Sequence, residues 1–102
     1  MGVRPLHLRI LSALSTHHRG QASYYGLMRD VWPPEQFPRA YRHSVNGGPP
    51  GVAMSFGRAL NELRQMGLIS RMATYLGGER QRFGQEDVWL LSDGRKALRE
   101  AQ

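Results

Sequence analysis

Apolar residues recur at helical spacing in three stretches of this chain, then give way to two short apolar runs and a final amphipathic stretch. Leu6, Ile10, Ala13 and Leu14, widened by Leu11, predict a first helix over residues 5–16. Pro5 suits its first turn, where a missing N–H costs nothing. His17, His18, Arg19 and Gly20 end it, with cationic groups near the negative end of the helix dipole. Ser23 is the expected N-cap of a short second helix through residue 32, in which Tyr24, Leu27, Met28 and Val31 share one side. Pro33 and Pro34 stop it.

A third helix is predicted over residues 52–66. Val52, Phe56, Ala59, Leu60 and Leu63 fall on one face at about 100° per residue. Met54, Arg58, Asn61 and Gln65 fall opposite, with Ser55 and Glu62 on one flank and Arg64 on the other. Gly67 supplies a left-handed C-terminal cap. Strands are expected over residues 69–75 and 87–91, joined by LGGERQRFGQE, whose glycines provide the turn. Ser92 then caps a terminal helix over residues 93–101, with Asp93 suited to its positive end. The exception to this regularity is residues 33–51, an irregular insert of 19 residues that holds five of the six prolines.

Composition narrows the possibilities. A chain of 102 residues makes one domain, residues 1–102, with a single modest core. No run of about 18 apolar residues exists and no signal-peptide pattern is read, so no membrane association is expected and the cytoplasm is the default compartment. The absence of cysteine excludes disulfides and thiolate zinc sites, and no HExxH spacing occurs, so no metal is expected. His17 and His18 read as a helix C-terminus, and Trp32 and Trp89 as core or dimer-interface aromatics. Without a G-x-S-x-G elbow, a cysteine nucleophile or a phosphate loop ending in Lys-Ser/Thr, neither an enzyme nor a cofactor is expected. The net charge is +6, and 13 of the 14 basic residues are arginine. Arginine forks onto phosphates and guanine edges, so the bias fits a nucleic-acid partner; arginine-rich codon usage explains it equally.

Three segments carry a resemblance. ALNELRQMGLISR (residues 59–71) is similar to a recognition helix running into a β-wing. The glycine- and arginine-rich hairpin tip follows it. VWLLSDGRKAL (residues 88–98) resembles the aromatic–Leu–Thr/Ser–x–x–Gly–Arg pattern that closes the wing in the PadR and MarR regulator families, and SYYGLMRDV (residues 23–31) looks like the second helix of PadR-type proteins. The chain thus resembles a winged helix-turn-helix DNA-binding domain. The resemblance implies an α+β fold with a three-helix core, a two-stranded β wing and a short C-terminal helix. It also implies sequence-specific binding of double-stranded DNA by a small transcriptional regulator, with helix 52–66 in the major groove and wing 76–86 on the backbone or minor groove.

The expected contacts are Met54, Ser55, Arg58 and Asn61 on the helix and Arg80, Gln81 and Arg82 on the wing. The bland reading of all of these is solvated surface. Arg39 and Arg42, with His43 around Tyr41, allow three readings of the insert: an accessory DNA-binding arm, a lid held by Phe37 and Tyr41, or a protein-docking surface. A homodimer through the first and last helices is expected, because tight operator binding usually takes two half-sites. No small-molecule effector is specified. The alternative function is a winged-helix protein-interaction module in a replication, partition or transcription complex.

Overall fold

The first apolar stripe folds as α1 (Pro5–Ser15), with Ile10, Leu11 and Leu14 buried and Pro5 at the helix start. The computed structural model describes residues 2–41, 52–73 and 86–101. After α1 the chain turns through His18–Gly20, where Arg19 and Gly20 both adopt left-handed angles, with φ of 59° and 66°. Gly20 has a second reason to lack a side chain, since a Cβ there would lie 3.0 Å from the Cβ of Leu90. The turn delivers a three-residue strand, β1 (Gln21–Ser23).

Ser23 caps α2 (Tyr24–Val31) as expected, its hydroxyl accepting from the Gly26 N–H at 3.1 Å. Tyr24, Leu27, Met28 and Val31 are buried on one side of α2. Beyond it, the amides of Gln36 and Phe37 both donate to the Pro33 carbonyl, and a 3₁₀ turn follows at Pro38–Tyr41. Tyr41 ties this turn back, donating to the Trp32 carbonyl at 2.6 Å. The first part of the expected irregular insert is therefore ordered by its own turns, with Tyr41 half-buried and Phe37 exposed. Residues 42–51 lie outside the described residues.

The helix α3 (Val52–Gln65) buries Ala53, Phe56, Ala59, Leu60 and Leu63. Gly67, at φ 76°, closes it: the Leu68 N–H donates to the Leu63 carbonyl and the Gly67 N–H to the Arg64 carbonyl, both at 3.0 Å. The chain then runs into β2 (Ile69–Ala73), and β3 (Glu86–Leu90) returns antiparallel to it, with Ile69 opposite Leu90 and Arg71 opposite Val88. Residues 74 and 75 of the expected first strand lie outside the described residues.

Two expectations need correction. The sheet has three strands in the order β1-β3-β2, not two, because β1 pairs with the other edge of β3 through Ala22 opposite Val88. Ser92 is the first residue of the last helix, α4 (Ser92–Ala101), rather than its cap. Leu91 makes the junction instead, donating to the Leu68 carbonyl and accepting from the Arg95 amide, at 3.1 and 3.0 Å. Gly94 permits this close approach, since a Cβ there would collide with the Leu68 carbonyl oxygen. The described residues thus form an α+β fold of four helices and a small antiparallel sheet. No helix among them is long and apolar enough to cross a membrane.

Candidate nucleic-acid interface

The face of α3 turned away from the core carries Met54, Ser55, Arg58 and Asn61, and all four are exposed, Met54 by 76%. They lie together because the buried stripe of α3 fixes its rotation: about 100° per residue sets these positions on the far side of Phe56, Leu60 and Leu63. Arg58 makes no ion pair among the described residues. Asn61 is not wholly free, because its Oδ1 accepts from Arg64 Nη2 at 3.2 Å.

The single acid of α3, Glu62, is engaged on the side facing α1. Its carboxylate accepts from His7 Nε2 at 2.9 Å and also pairs with Arg4. His7 is fully buried, and its Nδ1 accepts from the Arg4 backbone N–H at 2.9 Å, which leaves the ring proton on Nε2, aimed at Glu62. The His7 hydrogen bond, and then that of Arg4, hold the Glu62 carboxyl below the usual glutamate range. From the sequence alone His7 is assigned no role. Its spacing from Ile10, Leu11 and Leu14 is the signal that it shares their inward stripe.

At the base of the β2–β3 hairpin, Arg71 is turned inward. Its guanidinium grips Glu86 with both prongs, Nε donating to Oε2 at 2.8 Å and Nη2 to Oε1. This two-point bond raises the Arg71 pKa further. The pair lies beside Tyr24, a buried phenol that donates to the Ala53 carbonyl at 3.3 Å and packs edge-on to Phe56. Burial raises the Tyr24 pKa, and the nearby Arg71 charge offsets part of that rise.

The other expected contacts divide in two. Arg39 is exposed on the Pro38–Tyr41 turn, which is anchored to the end of α2 through Tyr41. Arg42, Arg80, Gln81 and Arg82 lie outside the described residues. The histidine reading changes: α1 ends at Ser15, so His17 lies past the helix and pairs with Asp30 of α2. Trp32 is partly buried, edge-on to Phe56 and beneath the Arg9 guanidinium. Trp89 is also only partly buried, on the sheet face opposite Val88 and between Gln21 and Ser70. An open groove of about 600 Å³ runs between α1, α2 and α4, lined by Leu8, Arg9, Val31, Phe37 and Leu98. Among the described residues no three His, Asp or Glu side chains cluster as a metal site would require. Searches with family models, among curated proteins and among solved structures found no match to this chain.

Proposed function

We propose that the chain is a winged-helix DNA-binding domain, in which α3 enters the major groove and the hairpin between β2 and β3 lies along the adjacent backbone or minor groove. The observation that carries this reading is the exposed face of α3, where Arg58 stands without an ion partner among the described residues while the helix's one carboxylate is engaged against α1. A helix face of that kind suits a polyanion. Arg58 takes guanine O6 and N7 in a bidentate fork. Asn61 keeps two N–H donors and one lone pair beyond its bond to Arg64, enough to pair with adenine. Ser55, in the first turn of α3, serves a phosphate.

The element order, with two strands following α3, supports a wing bearing Arg80, Gln81 and Arg82, a placement that rests on the sequence. The role is that of a small transcriptional regulator, with two copies on neighbouring half-sites supplying operator affinity. The apolar stripe of α1 is taken up in the chain's own core, so a pairing surface on α1 would have to come from its remaining sides. One observation favours a second reading, a protein-docking module: the exposure of Met54 at the centre of the same face.

A titration of labelled duplex at about 50 mM salt separates the two, because nonspecific DNA affinity alone registers there. Binding is expected, and Arg58→Ala should cost about 1–3 kcal/mol and relax base preference at one position, with the melting temperature unchanged. No binding of any duplex at that salt overturns the DNA reading.

A further inference from the structure

Glu62 follows Arg58 by four residues, the spacing at which a carboxylate and a guanidinium on one helix meet. They do not meet. The Glu62 carboxylate is drawn instead to the start of α1, where buried His7 and half-exposed Arg4 hold it. The His7 ring cannot turn freely, because its Nδ1 is fixed by the Arg4 backbone N–H and its Nε2–H therefore points at Glu62.

We propose that Arg4 and His7 are positioning residues for the outward face of α3: by holding Glu62 against α1 they keep a negative charge off Arg58 and off an approaching polyanion. This inference rests on the DNA-binding reading above. A released Glu62 acts twice. It competes for the Arg58 guanidinium along the helix, and it leaves an uncompensated carboxylate facing a bound duplex, where charges closer than the Debye length of about 10 Å at 0.1 M salt are incompletely screened.

A purely structural staple between α1 and α3 makes a different forecast. Removing either partner would then loosen the fold, and deleting the Glu62 charge as well would repair nothing. The two accounts separate in a double-mutant cycle, with duplex affinity and melting temperature followed on the full chain at about 50 and 200 mM salt. Arg4→Ala is the mild variant, since that side chain is 50% exposed. His7→Leu is the severe one.

Both are expected to weaken duplex binding, by about threefold to fivefold. Glu62→Gln alone should stay within about twofold of the wild type, while Arg4→Ala/Glu62→Gln and His7→Leu/Glu62→Gln recover most of the loss. If His7→Leu does not fold, the Arg4 cycle decides alone. Wild-type binding with additive effects, or a loss that Glu62→Gln does not rescue, overturns this inference and leaves the DNA reading standing. Absence of wild-type binding overturns the DNA reading itself.

Discussion

On α3, Arg58 and Glu62 are one turn apart and do not pair; on the sheet, Arg71 and Glu86 lie on neighbouring strands and close on each other. The difference begins with burial. Arg71 and Glu86 share the inward face of the sheet with Val88, and their side chains are only 22% and 14% exposed. In so dry a place an unpaired charge is costly, so each ion requires the other. Arg58 faces water, where a guanidinium needs no protein partner. A net charge of +6 counts both arginines alike, yet Arg71 belongs to the frame of the fold and Arg58 is available at its surface. Bulk charge is thus a poor guide to which arginines can meet a partner.

If the proposed DNA reading holds and frame and face are separate, changes to the frame should cost stability without touching duplex affinity. The largest effect is expected from Phe56→Ala. Phe56 is fully buried on the reverse side of α3 from Arg58, with Tyr24 and Trp32 edge-on at centroid distances of 5.0 and 5.9 Å. Truncation should cost about 3–5 kcal/mol in chemical denaturation, much of the stability of a small domain. Under conditions where the variant stays folded, its duplex affinity should match the wild type. A large loss of affinity there would mean that the core sets the outward face more tightly than the comparison allows.

Glu86→Gln comes next. It leaves the Arg71 guanidinium opposite a neutral amide in a partly buried site, and should cost about 1–3 kcal/mol, the lower end if water reaches the remaining exposed edge. Thermal melting measures it. A change of only a few tenths of a kcal/mol would place this pair with surface ion pairs, and Arg71 would then count among the arginines free to meet a phosphate.

What the sequence disclosed follows the same division. The helices were legible because their inward stripes repeat at helical spacing, and the rotation of α3 then set Met54, Ser55, Arg58 and Asn61 outward without further information. Ser23 and Gly67 were legible as caps because each role needs only local chemistry. The strand β1 was not, since Gln21–Ser23 is too short to show a period and exists through pairing with β3, far along the chain. Ser92 misled for a related reason: Leu91, held by the distant Leu68 carbonyl, already takes the position before the helix and accepts its first hydrogen bond. The pairings Glu62–His7 and Arg71–Glu86 also join separated segments, so the charges could be counted but not assigned. Arg42, Arg80, Gln81 and Arg82 remain sequence-based proposals outside the described residues.

The smallest effect tests the joint between the two regions. Gly67 ends α3 and opens β2 at φ 76°, and a methyl group built there meets no atom within 4 Å. Gly67→Ala therefore adds no collision, and its cost is the backbone term alone, about 1 kcal/mol for an L-residue held in the left-handed region. Gly67→Asn should cost less, because asparagine tolerates that region better. Chemical denaturation of the pair gives the stability difference, and duplex titration gives the sharper result. Affinity within about twofold of the wild type for both means that the cap holds the angle between helix and sheet even under the backbone strain of an L-residue, and that face and frame are independent. A tenfold loss in the folded alanine variant, about 1.4 kcal/mol, would instead mean that this angle is part of how α3 and the hairpin are presented together. The face of α3 would then not be separable from the sheet whose ion pair it was set against.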